Sequence, residues 1–142
     1  MTYKADFYVM DKPVQAIELL ACNLIEKVYT PQSSIYIQVW DDKAAEKFDA
    51  LLWTYKNTSF LPHECWQPTV EISAPILIGN YQSAPACDIL INLTWDLFPF
   101  VLQFKHIIEF VPTEETWKAR ARKKYQYFQQ QKWEVNCLTV SV

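Results

Sequence analysis

The sequence predicts an α/β domain built on a mostly parallel central sheet, and three observations lead there. Short apolar runs alternate with stretches whose apolar residues recur every three or four positions, the pattern of strands joined by crossover helices. One run, Asp88 to Leu93 (DILINL), is almost wholly apolar, as a strand covered on both faces must be. The chain of 142 residues is 51% hydrophobic and 15% aromatic, which is enough for one domain with a real core and too apolar for disorder. No repeat or low-complexity linker divides it, so residues 1–142 are read as a single domain.

In order, Tyr3 to Met10 (YKADFYVM) reads as a first strand, rich in aromatic and apolar side chains. Pro13 suits the first turn of a helix, and Ile17, Leu20, Leu24 and Val28 carry a helical stripe through Val14 to Val28, which Pro31 closes. Ser34 to Trp40 (SIYIQVW) alternates as a second strand. Asp41 and Asp42 offer an N-cap for a helix over Lys43 to Trp53, with Ala44, Phe48, Leu51 and Leu52 on its apolar face. Periodicity fails from Thr54 to Pro68, which reads as a long loop holding Phe60, Leu61 and Trp66, either folded onto the core or offered to a partner. Three strand-like runs follow at Thr69 to Ile72, Ile76 to Gly79 and Asp88 to Leu93. Asp96 to Lys105 is ambiguous around Pro99, and His106 to Val111 (HIIEFV) is a further strand. A helix rich in cations comes next, and Trp133 to Val140 reads as a final edge strand.

Composition removes several function classes. Gly79 is the single glycine, so neither a Walker loop nor a GxGxxG turn can be built, since both need backbone to approach phosphate without a Cβ in the way. Cys22, Cys65, Cys87 and Cys137 form no CxxC pair and, with no apolar N-terminal leader, read as reduced thiols of a cytoplasmic protein. The apolar run from Leu97 to Val111 is broken by Pro99, Lys105, His106 and Glu109 and cannot span a membrane. His63 lies two residues before Cys65, but the spacing matches no usual zinc pattern and lacks a downstream PCxxC. His106, at the head of an apolar strand, reads as a satisfied core or edge histidine. Asp41 reads as an N-cap, and Glu114 and Glu115 suit a helix N-terminus rather than acid–base work. No nucleophile sits in a recognisable elbow. No cofactor, metal or catalytic residue is expected.

The charge distribution is uneven. From Trp117 to Lys132 there are six basic residues and no acidic one, whereas residues 1–116 hold seven basic and fifteen acidic side chains. A basic helix on an acidic body reads as a site for an anion: a nucleic acid, a phosphate or an acidic tail. Projected at about 100° per residue, Trp117, Ala121 and Phe128 share a narrow arc and form the buried stripe. Tyr125, Lys118, Arg122 and Gln126 follow along one flank, while Lys124 lies on the other with Arg120 beyond it. Two cations and an aromatic ring thus converge where the helix meets the sheet, an arrangement suited to a peptide ending in an apolar residue with its free carboxylate. A nucleic-acid backbone would prefer charge strung along the whole exposed face. The arrangement favours the acidic peptide, with direct single-strand binding as the alternative.

These residues also carry a family likeness. ADFYVMD at the start, the block from Ala50, Leu51 and Trp53 to Phe60-Leu61-Pro62-His63, DILINL, and EFVP leading into the basic helix together resemble the chi subunits of bacterial DNA polymerase III. The resemblance spans most of the chain, although Gln67 to Ala86 matches poorly. It implies a three-layer α/β/α fold, Rossmann-like but without a nucleotide-binding loop, and a non-catalytic bridging role. It implies two partners: the psi subunit of the clamp-loader complex, and the acidic, Phe-ending tail of the single-stranded-DNA-binding protein. A repair helicase is implied as a competitor for the psi surface. The family's tail-binding positions fall on Lys118, Arg122, Tyr125 and Gln126, the last of these basic in familiar members. The psi-facing positions fall on Trp53 and Phe60, with Pro62 and His63 as neighbours.

Overall fold

In the computed structural model the described residues are 2–55, 61–69 and 74–140. Phe60 and residues 70–72 of the expected strand at 69–72 lie outside them.

Among the described residues seven strands form one sheet: β1 (Lys4–Met10), β2 (Ile35–Gln38), β3 (His63–Cys65), β4 (Ile76–Gly79), β5 (Ile89–Asn92), β6 (His106–Val111) and β7 (Glu134–Val140). Their order across the sheet is β3-β4-β2-β5-β6-β1-β7, and every neighbouring pair is parallel. Helix α1 (Ile17–Val28) joins β1 to β2 after a 3₁₀ turn at Val14–Ala16; α2 (Asp42–Thr54) follows β2, and α3 (Glu115–Gln130) joins β6 to β7. The fold is therefore the parallel α/β arrangement that the alternating pattern predicts, in the three layers that the family resemblance implies. Among the described residues no helix is long and apolar enough to cross a membrane.

The pleat sorts the strand side chains into two cores. On one face Met10, Ile35, Ile37, Ile76, Ile78 and Ile108 meet Leu20, Leu24 and Ile25 of α1 and Phe48 and Leu52 of α2. On the other, Phe7, Tyr36, Leu77, Leu90 and Ile107 meet Ala121 and Phe128 of α3, with Phe98, Phe100 and Phe104 from the connection ahead of β6. Strands β2, β4 and β5 are buried at every position, which is why DILINL shows no alternation.

Local chemistry fixes the ends of the elements. The Asp41 carboxylate accepts from the Ala44 amide at 2.8 Å, capping α2 as expected. Glu114 precedes α3, and its Oε2 accepts instead from the Val14 amide at 3.1 Å, tying the start of α3 to the turn after β1. His106 is a satisfied, part-buried histidine at the start of an interior strand: its Nε2 lies 2.7 Å from Asp6 Oδ2, and Asp6 Oδ1 accepts from Asn136 at 2.9 Å. One buried carboxylate thus crosslinks three adjacent strands.

Two stretches differ from expectation. The loop expected at 54–68 contains β3, which pairs with β4 through only three residues. A strand that short shows no readable alternation, and pairing with β4 rather than intrinsic pattern makes it a strand. Leu61 and Trp66 of the same stretch are buried, so they fold onto the core. The ambiguous stretch from Asp96 to Lys105 carries a single 3₁₀ turn, Val101–Gln103, between stacked or edge-packed phenylalanines.

Gly79 has a packing reason unrelated to phosphate. A Cβ built there would sit 2.6 Å from the Tyr36 hydroxyl, and that fully buried ring cannot withdraw without losing its 2.7 Å bond to Gln38. Gly79→Ala should cost about 1–3 kcal/mol as an overpacked core position. Urea unfolding of the variant checks it, and an unchanged midpoint would show that the Tyr36 ring yields freely.

Candidate functional site

The basic helix is held by one face. Trp117, Ala121 and Phe128 are buried as the projection predicts, and the Trp117 indole donates to the Phe110 carbonyl at 2.9 Å. The fourth buried residue is Lys124. Its ammonium lies 2.6 Å from Glu109 Oε1, with the two side chains only 3% and 1% exposed. Asn92 donates to the other Glu109 oxygen at 3.2 Å and to the Asp96 carbonyl at 2.9 Å, while its own carbonyl accepts from the Thr94 amide and hydroxyl. Burial pushes the Glu109 carboxyl above the usual range, and the charge and hydrogen bond of Lys124 pull against it.

The reading of Lys124 as a flank residue is corrected here: it points inward. The signal was present in the sequence. Lys124 lies seven residues after Trp117 and four before Phe128, on the buried arc itself, and Glu109 interrupts an otherwise apolar strand. Each polar residue at a core position is the explanation of the other.

The remaining cations divide between two sides. Arg120 sits 4.5 Å above the Trp95 ring and 3.3 Å from Asp96, beside the Trp40–Trp95–Trp117 aromatic cluster. Lys118 and Arg122 face the opposite way, as expected from the projection. Lys118 lies 3.8 Å from an exposed Glu115, a weak surface pair, and Arg122 makes no ion pair with any described residue.

Lys118 and Arg122, with Tyr125 and Gln126, line one open groove of about 450 Å³. Its floor is apolar: Phe7 and Val9 of β1, Val111 of β6 and Ala121 of α3, with the Tyr125 ring packed 5.5 Å from Phe7. Gln129 and, from β7, Cys137 complete it. All four residues expected for a tail site therefore share one cavity, and Val9, Val111 and Cys137 are lining residues that a projection of the helix alone could not supply. A pocket with an apolar floor and two cations at its rim can take an apolar side chain and an adjoining carboxylate together.

Of the second group of expected residues, Trp53, Pro62 and His63 lie at the other edge of the sheet, and Phe60 is outside the described residues. Trp53 is 53% exposed, and its ring centroid is 4.2 Å from that of His63. His63 itself is buried, with Nδ1 2.6 Å from the Leu61 carbonyl and Nε2 3.1 Å from the Asp49 carbonyl. It therefore acts as a brace beneath Trp53 rather than as an exposed contact, and Pro62 next to it is half-buried. Among the described residues no cluster of His, Cys, Asp and Glu could hold a metal ion, and the four cysteines are free. Burial, helped by Glu18, pushes the Cys22 thiol up to about 12.

Fold and groove together define a parallel α/β protein with no glycine phosphate loop, carrying a cation-rimmed apolar cavity at one sheet edge and an aromatic ledge at the other. The family model described as "DNA polymerase III chi subunit, HolC" matches residues 1–136, and the chain belongs to that family. Curated relatives called DNA polymerase III subunit chi agree in length as well as sequence. That of Pseudomonas aeruginosa is 29% identical over 130 residues, covering 90% of each chain. That of Escherichia coli is 28% identical over 142 residues (95% of this chain, 97% of the relative), and that of Haemophilus influenzae 27% over 139 (96% of each). The family assigns the chain to DNA replication.

Removing one partner of the Lys124–Glu109 pair leaves a buried charge unmatched, so Lys124→Met should destabilise by about 3–5 kcal/mol. Replacing both, Glu109→Leu with Lys124→Met, should recover most of that loss. Equilibrium denaturation of the single and double variants measures the difference, and equal losses in the two would contradict the account.

Proposed function

We propose that the chain is a non-catalytic accessory subunit that bridges two partners. Lys118, Arg122, Tyr125 and Gln126 receive the acidic, Phe-ending tail of the single-stranded-DNA-binding protein. Trp53 and Phe60, with Pro62 and His63 beside them, meet the psi subunit of the clamp-loader complex. A repair helicase would compete for that second surface, and the bridge would work at the replisome in the bacterial cytoplasm.

One observation carries this reading: two cations without strong internal partners stand at the rim of a cavity whose floor is apolar. The floor suits the terminal aromatic side chain, and Lys118 and Arg122 suit its carboxylate and the preceding acidic residues. The neutral Gln126 gives hydrogen bonds but no charge, so Lys118 and Arg122 would bear the electrostatic load. Sheet order supports the bridging role. Trp53 lies against β3 and the groove against β7, the two outermost strands, and six interstrand spacings amount to roughly 29 Å. That separation lets both partners bind without collision.

Direct binding of single-stranded nucleic acid through the same helix has less support. Lys124 is internal, and Arg120 is occupied by Asp96 and Trp95, which shortens the row of cations open to phosphates.

Arg122→Glu should abolish binding of an acidic peptide ending in a free phenylalanine, since a charge-assisted contact is worth about 1.5–3 kcal/mol and reversal adds repulsion. Fluorescence polarisation of a labelled peptide reads this, and the wild-type affinity should also fall with added salt. Unchanged affinity in the variant would refute the assignment. At the other edge, Trp53→Ala should break pairing with psi in a pull-down while leaving peptide affinity as it was. Loss of both activities would point to misfolding instead.

A further inference from the structure

Strand β7 is a long edge strand without the usual protection. The opposite edge, β3, is only three residues long, which by itself discourages further pairing. By contrast β7 runs for seven residues (EVNCLTV), has no proline, lysine or positive-φ residue, and carries one charge, Glu134, at its start. Exposed edges of this kind accept another strand.

The register says which groups are on offer. The Glu134 amide donates to the Tyr3 carbonyl of β1 at 3.0 Å, and Glu134 pairs with Lys4, Asn136 with Asp6 and Leu138 with Tyr8. Backbone groups alternate sides along a strand. Those of Glu134, Asn136 and Leu138 therefore face β1, and those of Val135, Cys137 and Thr139 face outward with no described strand beyond them. The same alternation puts the Val135 and Cys137 side chains on the α3 face. Cys137 is thus both a lining residue of the cation-rimmed groove and the middle of the free backbone edge.

We propose that the incoming acidic peptide adds to β7 as an eighth strand, its upstream backbone pairing with the amides and carbonyls of Val135, Cys137 and Thr139 while its apolar end enters the groove. The proposal rests on the groove being the peptide site and deepens it. To the charge contacts of Lys118 and Arg122 it adds main-chain hydrogen bonds to the residues before the terminal one, which carry no preference for particular side chains. Continuity singles out the peptide as occupant: a chain leaving the groove past Cys137 meets the free edge at once. It also supplies a second contribution to affinity where Gln126 brings no charge.

The test leaves the protein unchanged. A set of acidic peptides ending in a free phenylalanine is made, each N-methylated at a single backbone amide, and titrated against the wild-type chain. Strand addition predicts losses of roughly fivefold to tenfold per blocked bond at every second upstream residue, with little change between them. A uniform response, or none, overturns the proposal. A companion variant, Thr139→Pro, removes one outward amide while sparing the ladder to β1. It should weaken wild-type peptide several-fold with its melting transition intact. Alternating losses fail without touching the groove assignment if Arg122→Glu still abolishes binding; if Arg122→Glu has no effect, the groove assignment itself fails. Sedimentation of the free chain as a dimer that Thr139→Pro splits would instead give the edge to a second copy and overturn the proposal.

Discussion

The buried Lys124–Glu109 pair is the constraint on which the rest of this surface depends. A basic helix has many ways to lie on a sheet, and apolar side chains alone specify its rotation loosely, because Trp117, Ala121 and Phe128 tolerate some roll. An ammonium buried to 3% exposure with one carboxylate 2.6 Å away tolerates almost none, since any rotation strands a charge out of water. Locking Lys124 inward directs Lys118, Arg122 and Tyr125 to one side and Arg120 to the other. The pair adds little to net stability compared with a well-packed apolar substitute. Its effect is on orientation, and the Asn92 amide extends the same lock to β5.

A second constraint is topological. Because β6 feeds α3 and α3 feeds β7 on the far side of β1, the groove is built from three strands and one crossover helix. The floor residues Phe7, Val9 and Val111 are therefore rigid core-edge positions, while the cations above them sit on an exposed helix flank. A preformed apolar floor under mobile charged side chains suits a ligand that gains specificity from its terminal residue and association rate from its acids. At the opposite edge, His63 supports Trp53 from beneath, its ring held between the Leu61 and Asp49 backbone carbonyls, so the exposed ring is presented on a fixed base.

Much of this was legible in the sequence, for identifiable reasons. Helices α1 and α3 have long stripes with a clear period, and strands such as DILINL have uninterrupted apolar runs, so both kinds of element were found where expected. Strand β3 was not, because three residues paired on one side leave no periodic trace. The groove's helical wall followed from projecting α3, but its floor comes from β1, β6 and β7, which are distant in the chain and joined only by the strand order. Lys124 lies inward and not on a flank because its position on the buried arc faces the acid within HIIEFV, a match across strand and helix that projection of the helix alone does not show. Gly79 offered no clue to its own role: its neighbour Tyr36 lies on the adjacent strand, two residues from its register partner, and forty-three residues away in sequence.

The proposed bridging role requires one chain to hold two partners at once, at opposite edges of one sheet. The most direct measurement is a titration of labelled acidic peptide against the chain alone and against the chain saturated with psi, with the mass of the largest complex determined in parallel. The account predicts the same dissociation constant in both titrations and a three-component complex at saturation. Displacement of the peptide by psi, with only two-component complexes formed, would contradict it.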